Sequence, residues 1–498
     1  MPADRGVAQS GSALGWGPSG RRFKSCLPDL SSATPVEESV QRGKLARETV
    51  PRTSHAAYEP LDDRRDPVAI VSADDATRVP ELVPIRYGRM LTSSFAFYRG
   101  AAGLMAHDLA QAANSGLDAQ LCGDAHLSNF GLFAAPDRRL VFDANDFDET
   151  LPGPFEWDLK RLVASLAIAA RSVGADDAQA GEIAQASAQA YRLRLRELAD
   201  MGHLQLWYTR MEIDSARELL TAQNEKATLK RLDKTVAKAQ THDSLREFNK
   251  LTEIVDGRRR IIADPPLITP IEDVVADFHH GTVDPAQIHI QMQAWLDDYA
   301  SRLETDRRHL LEQYELVHMA RKVVGVGSVG TRVWILLMIG RDETDPLFLQ
   351  VKEAGRSVLE PYLGRSEFEF PGQRVIAGQR LMQAATDVLI GWLNAVGADD
   401  VPRHFYVRQL KDWKGSAKIE TMSPQLLKMY GELCARALAR GHARSGDRFA
   451  ISAYLGKSDK FDVAISQFAI HYAEQNERDY ARLMQAVDDG LIEGRSGL

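Results

Sequence analysis

Hydrophobic residues recur along this chain with two different spacings, which separate predicted strands from predicted helices. Short runs of β-branched and aromatic residues, such as 333–339, have the length and composition of buried strands. Apolar residues at helical spacing instead mark 100–113, 157–170 and 457–486. The two patterns together predict a protein that combines helices with sheets.

Turn and cap residues add further elements to this picture. Residues 131–133 and 140–142 predict two short strands joined by a turn, and a helix is predicted over 374–392. Ser423 is a favourable N-cap with Pro424 at the first helical position, so a helix is predicted to begin there and to run to about residue 440.

Two clusters of acidic and amide residues lie within 121–162, GDAHLSN at 123–129 and DANDFDE at 143–149. Apolar runs flank both clusters, so each is predicted to be a loop anchored to the end of a strand or helix. Asp, Asn and Gly are also the commonest turn residues, but two such clusters in tandem favour a functional site. Closely spaced carboxylate and amide oxygens suit a hard cation such as magnesium, and one carboxylate can stay free as a base.

The segment 321–354 carries a second signal. Gly325, Gly327 and Gly330 fit G-x-G-x-x-G, which is weak on its own. A dinucleotide fingerprint needs a helix directly afterwards, whereas 331–339 predicts a strand. Strand, glycine loop and strand is the arrangement of the loop that covers the phosphates in kinases.

The next predicted strand, 347–351, ends at Lys352, the place of a lysine that contacts nucleotide phosphates. A plain β-hairpin with a surface lysine is the alternative. A carboxylate is expected to orient this lysine, and Glu360 is the nearest candidate. Three other residues compete with Glu360 for this role, and the sequence does not separate them: Glu367, Glu369 and Gln379.

Three arginines precede the acidic clusters, namely Arg86, Arg89 and Arg99. Guanidinium groups match phosphate oxygens well, so these residues could bind phosphate. They could equally brace acidic loops or cap helices.

The order Asp124, His126, Asn129 resembles the catalytic loop H-G-D-x-H-x-x-N of the aminoglycoside and choline kinases. The sequence NDFD at 145–148 resembles their metal-binding D-F/W-x-D, and FEWDL at 155–159 resembles their later aspartate–leucine segment. Cys122 stands where those kinases have a histidine before Gly-Asp.

This resemblance implies a role for each matching residue. Asp124 would accept the proton of the acceptor hydroxyl, and Asn129 with Asp146 would hold Mg²⁺ against the phosphates. Lys352 and the glycine loop would position ATP. Asp143 and Asp148 are possible second metal ligands, and His126 could brace the loop.

Taken whole, the chain also resembles a bacterial family catalogued only as domain of unknown function 2252. The resemblance covers nearly everything after about residue 43, through stretches such as FAFYRGAA, GDAHLSNFG, RKVVGVGSVGTR and YLGKSDKFD. Membership of that family says little about activity.

The kinase resemblance implies an α+β, protein-kinase-like fold with two lobes. In ordinary kinases the glycine loop and lysine precede the catalytic aspartate, whereas here they follow it, so the fold is predicted to be circularly permuted. We expect a disordered tail over 1–45 and the catalytic part of the large lobe over 46–195. A mainly helical insertion is expected over 196–319. A small nucleotide-binding lobe would follow over 320–412, and a helical C-terminal part of the large lobe over 413–498.

Composition narrows the possible partners. With a net charge of −8 among 498 residues, the chain is not expected to bind nucleic acid or an anionic membrane in general. No apolar run reaches the roughly 20 residues that span a bilayer. Three widely spaced cysteines do not form a disulfide framework and suit the cytoplasm. The start of the tail resembles a translated transfer-RNA gene, which indicates a start site too far upstream.

The predicted activity is Mg²⁺- and ATP-dependent phosphoryl transfer to a hydroxyl. The acceptor stays open, since a small molecule, lipid, protein or nucleotide would all fit. One alternative is a metal-dependent phosphohydrolase that uses the same carboxylates to activate water and does not need Lys352. Another is a non-catalytic nucleotide-binding or scaffold protein.

Overall fold

The computed structural model describes residues 34–213, 217, 230, 233–234, 236–237, 244–279, 285–397, 400–410, 413 and 415–497. These residues form a mixed α+β protein. The helices are α1 (Val36–Thr49), α2 (Pro67–Ala73), α3 (Val83–Met90), α4 (Ser94–Arg99), α5 (Ala102–Leu109), α6 (Glu156–Ser172), α7 (Asp177–Ala199), α8 (His203–Tyr208), α9 (Ser244–Leu251), α10 (Ile271–His279), α11 (Pro285–Ser301), α12 (Thr305–Leu311), α13 (Glu360–Leu363), α14 (Pro371–Met382), α15 (Pro424–Ser445), α16 (Arg448–Leu455) and α17 (Lys460–Asp488). The strands are β1 (Asp118–Leu121), β2 (Phe130–Ala134), β3 (Leu140–Ala144), β4 (Leu151–Pro154), β5 (Thr252–Val255), β6 (Arg258–Ile261), β7 (Ile268–Pro270), β8 (Glu315–Lys322), β9 (Val333–Ile339), β10 (Pro346–Glu353), β11 (Gly391–Val396), β12 (Pro402–Gln409) and β13 (Gly415–Ser416).

Six strands form one antiparallel sheet in the order β11-β12-β10-β9-β8-β7, here called the large sheet. Its central strand β10 alternates between two buried faces. Leu347, Leu349 and Val351 pack with α10 and α11, whereas Lys352 belongs to the opposite face. The two-residue period of a strand therefore turns Lys352 away from the helices that cover the first face.

The predicted hairpin at 131–142 is confirmed, because β2 pairs antiparallel with β3. β13 adds to the free edge of β2, and β1 pairs separately with β4. The two acidic clusters follow β1 and β3, so both leave the ends of short strands.

Helices α6, α7, α15 and α17 pack against each other and form what we call the helical body. The predicted buried helix at 157–170 is confirmed as α6, which is buried from Glu156 to Ala170. Ser423 caps α15 by accepting a hydrogen bond from the Leu426 N–H, as predicted, and the helix continues one turn beyond the expected end.

The sequence predicts no element before residue 46, but α1 begins at Val36. This helix packs on α16 through small residues, Ser39 and Gly43, and not through an apolar stripe. A Cβ added to Gly43 would lie 2.1 Å from the Ala450 carbonyl oxygen. Close contact through small residues leaves no hydrophobic period in the sequence, which is why α1 was missed. The rest of the predicted tail, residues 1–33, lies outside the described residues.

The helix predicted over 374–392 is wrong in its second half. Helix α14 ends at Met382, and Trp392 lies in strand β11. Between them Asp387 accepts hydrogen bonds from the N–H groups of Leu389 and Gln409, which fixes a turn where the apolar pattern alone suggests more helix. Across the described ranges, no helix is both long and apolar enough to cross a membrane.

Candidate functional site

A cleft with an empty volume of about 1180 Å³ lies where the loops after β8 and β10 meet the two acidic clusters. Eight residues that sequence reasoning singled out line it: Arg99, Asp124, His126, Asn129, Asp146, Asp148, Gly325 and Gly327. The segments 121–162 and 321–354 therefore face each other across one cavity.

One face of α6 holds the first acidic loop in place. Asp158 accepts hydrogen bonds from the N–H groups of Cys122 (2.7 Å) and Gly123 (3.0 Å). Three and seven positions later, Arg161 Nε donates to Asp124 Oδ1 at 2.8 Å and Ser165 Oγ accepts from the Leu127 N–H at 3.1 Å. This spacing places all three side chains on the same side of the helix. Cys122, at the histidine position of the kinase motif, donates its backbone N–H to Asp158, and its side chain is buried in the hydrophobic core.

The tight turn before Asp124 requires glycine. Gly123 has a φ of +85°, and a Cβ there would lie 2.2 Å from the Glu149 carbonyl oxygen. The first acidic loop thus packs directly against the end of the second. Only the smallest residue permits this contact, which explains the Gly-Asp pair seen in the sequence.

His126 is neutral and has a defined tautomer. Burial lowers its pKa to about 4, although the neighbouring Asp124 carboxylate opposes this. Its Nδ1 accepts from the Ser128 N–H at 3.2 Å, so the ring proton is on Nε2, which lies 3.6 Å from Asp124 Oδ2. His126 thereby braces the loop, as the resemblance implied.

A hydrogen bond to the backbone of the same loop fixes the orientation of the Asn129 side-chain amide. Its Nδ2 donates to the Asp124 carbonyl oxygen at 2.7 Å. This hydrogen bond uses the amide nitrogen and leaves the amide oxygen of Asn129 as the group with ligand character.

Lys352 reaches from the large sheet to the second acidic cluster. Its Nζ lies 2.7 Å from Asp148 Oδ2 and 3.3 Å from Asp146 Oδ1. Burial would lower the pKa of Lys352, but the two carboxylates outweigh it and hold the pKa above its usual value. Glu360, the expected partner, instead faces the Ser357 N–H (3.4 Å).

Asp148 has an unsatisfied carboxylate oxygen. Its Oδ1 is buried and has no hydrogen-bond partner among the described residues. An orphaned carboxylate oxygen beside a second carboxylate and an amide fits a hard divalent cation. Within the part of the chain that the structure describes, no three Asp, Glu, His or Cys side chains cluster as a complete metal site. Mg²⁺ commonly needs only one or two carboxylates, with water and phosphate completing its shell.

Asp143, which the sequence offered as another metal ligand, is engaged elsewhere. It is buried and forms an ion pair with Arg440 of α15. Burial raises the pKa of Asp143, and Arg440 acts against that shift. Its position therefore fits a brace between β3 and the helical body.

The glycine loop between β8 and β9 is anchored by its carbonyl groups. Arg89 donates to the Gly325 carbonyl oxygen at 2.7 Å, and Arg78 donates to that of Gly327 at 2.8 Å. Gly325 and Gly330 have φ values of +70° and +90°. The N–H groups of 325–328 form no hydrogen bond with another described residue. Backbone N–H groups that are not engaged in this way can donate hydrogen bonds to phosphate oxygens.

The three arginines that precede the clusters have different positions. Arg86 is buried and pairs with Asp75 at 2.9 Å, so it braces the fold. Arg89 holds the glycine loop. Arg99 lines the cleft, and its buried Nε has no hydrogen-bond partner in the described structure. Burial lowers the pKa of Arg99, with Asp124 acting in the opposite direction.

Sequence reasoning missed three residues that shape the cleft: Arg161, Arg374 and Glu149. Arg374 of α14 donates to the carbonyl oxygens of Asp148 (2.7 Å) and Thr150 (2.6 Å) and ties the acidic loop to the large sheet. Glu149 accepts from the Val358 N–H at 2.7 Å. Each partner lies far along the chain, so no local spacing could reveal them.

Comparison with known proteins gives one match. The family described as "Uncharacterized protein conserved in bacteria (DUF2252)" matches residues 78–486. No curated protein and no solved structure matched the chain.

Proposed function

The chain belongs to the DUF2252 family, and we propose that it is a Mg²⁺- and ATP-dependent phosphotransferase that acts on a hydroxyl acceptor. One observation carries this proposal. Lys352 of the large sheet forms ion pairs with Asp146 and Asp148 of the acidic loop, and these two carboxylates line the cleft. Two carboxylates with a lysine bound to them, and a glycine loop that lines the same cavity, are the groups that phosphoryl transfer needs.

Asp124 is the base in this proposal. Its Oδ1 is held by Arg161, so Oδ2 is the atom available to the acceptor hydroxyl. As the phosphorus–oxygen bond to ADP breaks and the bond to the acceptor oxygen forms, the hydroxyl proton passes to Asp124. The contact with Arg161 keeps the carboxylate oriented toward the cleft.

Asn129, Asp146 and Asp148 would hold Mg²⁺, through the amide oxygen and the two carboxylates. The bound cation would neutralise charge on the phosphates. Asp148 has stronger support than the sequence gave it, because its Oδ1 lacks any other partner in the described chain.

The phosphates would lie between Lys352 and the N–H groups of the glycine loop. Arg99 adds a guanidinium that also lines the cleft and interacts electrostatically with Asp124. These charges are fixed before the substrate arrives, and preorganised charge is the main source of rate enhancement in this kind of chemistry.

A permuted, kinase-like arrangement of two lobes is part of the proposal. The chain order places the lysine after both aspartates, yet the cleft brings them together. The first and last described parts of the chain also meet, since Arg64 binds both Asp108 and Asp479 of α17 at 2.7–2.8 Å. Neighbouring ends are what a circular permutation requires.

Thermal unfolding with ATP, with and without Mg²⁺, tests the nucleotide site. A ligand at about one hundred times its Kd stabilises the native state by about 2.7 kcal/mol. We expect a Mg²⁺-dependent rise in the midpoint for wild type and Asp124→Asn, and none for Lys352→Met or Asp148→Asn. Lys460→Met changes an exposed lysine outside the cleft and is the matched control.

Measuring the release of ADP and of phosphate then distinguishes a phosphotransferase from a phosphohydrolase and from a protein that only binds ATP. A phosphotransferase turns over ATP only with an acceptor and loses turnover in Asp124→Asn. Phosphate release without an acceptor, unchanged in Lys352→Met, would show a phosphohydrolase. ATP binding without any turnover would show a binding or scaffold protein.

A further inference from the structure

Arg99, the last residue of α4, lines the cleft with a guanidinium that the fold does not use. It forms no hydrogen bond and no ion pair with another described residue, and its Nε is buried. ATP does not need it either, because the phosphates are placed between Lys352 and the glycine loop. A buried donor on a charged group is costly when it stays unpaired, so this arginine favours an incoming anion.

The charges around Arg99 place it at the Asp124 end of the cleft. Burial lowers the pKa of Arg99, and the carboxylates of Asp124 and Glu420 act against that shift. Lys352 instead forms its ion pairs with the second acidic cluster. The two cations therefore serve different ends of one row of carboxylates, and Arg99 is the one beside the base.

The first turn of α5 follows Arg99 directly and belongs to the same wall. Gly100, Ala102 and Gly103 line the cleft. No side chain caps α5, and the N–H groups of Ala102 and Gly103 form no hydrogen bond within the described structure. The positive end of a helix strengthens the preference for an anion that Arg99 already creates.

Arg356 adds a second guanidinium close to this turn. Its loop, 354–358, runs beside α5, since a Cβ added to Gly103 would lie 3.6 Å from Val358 Cβ. A hydrogen bond of 3.0 Å from Arg374 to the backbone holds this loop in place. The Arg356 side chain is exposed, lines the cleft and forms no hydrogen bond or ion pair with any residue that the structure describes.

Carboxylates also line the cleft, but they have partners of their own. Asp124 accepts from Arg161 Nε at 2.8 Å, and Glu149 accepts from the Val358 N–H at 2.7 Å. Two further carboxylates form ion pairs with arginines that brace the fold: Asp74 with Arg86 and Glu353 with Arg332. The donors at the end of α4 and the start of α5 are thus left to a ligand.

We propose that Arg99, the first turn of α5 and Arg356 bind an anionic group of the phosphoryl acceptor. The acceptor is then a small hydroxyl compound that also carries a phosphate or a carboxylate. An anion held here presents a hydroxyl of the same molecule to Asp124, whereas a neutral acceptor would bury Arg99 without a partner. The assignment to the acceptor rests on the phosphotransferase proposal, but binding of the anion can be measured without turnover.

Isothermal titration calorimetry of the full chain with inorganic phosphate tests this subsite, first alone and then with saturating Mg²⁺ and the ATP analogue AMP-PNP. We expect phosphate to bind in both cases. Binding should be at least about tenfold weaker in Arg99→Met and about threefold weaker in the more exposed Arg356→Met. Arg258→Met changes an exposed arginine of β6 outside the cleft and should bind phosphate as wild type does.

Competition against phosphate then identifies the anionic group. Glycerol 3-phosphate and D-glycerate both join hydroxyl groups to an anion, whereas glycerol has hydroxyl groups alone. We expect displacement by at least one of the two anions and none by glycerol. Displacement by glycerol 3-phosphate assigns a phosphate monoester, and displacement by D-glycerate alone assigns a carboxylate.

Several results would overturn the proposal. Phosphate that binds only without AMP-PNP would assign Arg99 to the nucleotide, and absent binding or unchanged binding in Arg99→Met would remove the subsite. Competition by neither anion, or equally by glycerol, would end the assignment to an acceptor. If AMP-PNP does not bind while phosphate still requires Arg99, the phosphotransferase proposal fails and the anion subsite stands. Circular dichroism checks folding, and if Arg99→Met does not fold, Arg356→Met against Arg258→Met decides.

Discussion

Glu149 is a residue of the cleft whose carboxyl group gains or loses its proton near neutral pH. Burial raises its pKa from an ordinary 4.5 to about 7, while Arg374 and the Val358 N–H act against the shift. The native state therefore favours the protonated form. Its contribution to stability is complete below pH 4.5 and is lost as the pH rises through about 7.

Replacing Glu149 with glutamine removes this pH dependence. At pH 8 we expect Glu149→Gln to raise the free energy of unfolding by about 1–3 kcal/mol, and at pH 5 to change it little. Urea denaturation at both pH values measures the difference. Glu312→Gln, at an exposed glutamate directly after α12, should show no such trend. An equal effect of Glu149→Gln at both pH values would contradict the buried, proton-binding carboxyl.

Lys352 shows what a sequence can and cannot reveal about a single residue. Its place at the end of a strand was predicted from the sequence, but a surface lysine stayed open as the alternative, and its partners lie 204 and 206 positions away. The sequence pointed to Glu360 because that carboxylate is near along the chain. Tertiary contacts of this kind leave no local pattern, so the choice of partner needed the structure.

Lys352→Met should leave two carboxylates without their cation. Because the side chains of Asp146 and Asp148 are each 30% exposed, we expect a loss of about 2–4 kcal/mol at pH 8 rather than the full cost of a buried unpaired charge. Carboxylates that have lost a neighbouring cation bind protons more readily, so the loss should shrink as the pH falls toward 5. Denaturant titrations at both pH values test this. A loss independent of pH would point to lost packing alone.

At the scale of elements, α6 organises the cleft. Asp158, Arg161 and Ser165 lie on one face of this helix and fix the backbone or the carboxylate of the first acidic loop. His442 of α15 adds a contact at 3.2 Å to Asp158 Oδ2. The loop therefore takes its shape from the helical body and not from its own residues alone.

Asp158→Asn tests this dependence. One of its two oxygens becomes an NH₂ group that faces a backbone N–H, so we expect a loss of about 2–3 kcal/mol from an unpaired buried donor. Hydrogen exchange should become faster for the amides of residues 122–129. Ser187→Ala, which removes a hydroxyl bonded only within α7, should leave these amides protected. Unchanged exchange in Asp158→Asn would mean that the loop is held by other contacts.

The elements also show where sequence patterns suffice. β9 and β10 were predicted because a buried strand keeps its apolar, β-branched composition whatever its neighbours are. Helix α6 was predicted because nearly all of it is buried. Helix α1 was missed because Ser39 and Gly43 make its contacts, and the end of α14 was misplaced because the Asp387 turn carries no strong breaker. Interpretation from sequence fails where small or polar residues decide the packing.

At the scale of the whole molecule, the first and last described segments of the chain contact each other. Arg64 joins Asp108 and Asp479, and the N–H of Arg495 donates to the Pro84 carbonyl oxygen at 2.8 Å. The first and last described parts are thus packed together. A fold whose ends are joined in this way should tolerate a new order of its segments.

A circular permutant tests whether the order of segments matters. Residues 244–497 would be followed by a Gly/Ser linker of about 15 residues, which spans about 20 Å, and then by residues 34–243. This order places the glycine loop and Lys352 before Asp124 and Asp146, as in ordinary kinases. We expect a cooperative thermal transition close to that of wild type, and the same Mg²⁺-dependent shift with ATP.

The control permutant opens the chain between Val351 and Lys352, inside the central strand β10. It should not fold, because the cut removes pairing with both β9 and β12. If the first permutant folds and binds Mg²⁺-ATP while the control does not, the cleft depends on the packed arrangement of the segments and not on their order. A first permutant that folds without binding nucleotide would separate the fold from the site and count against the kinase-like arrangement. If it fails to unfold cooperatively even with longer linkers, the junction near residue 244 is needed for folding, and the permuted origin loses its support.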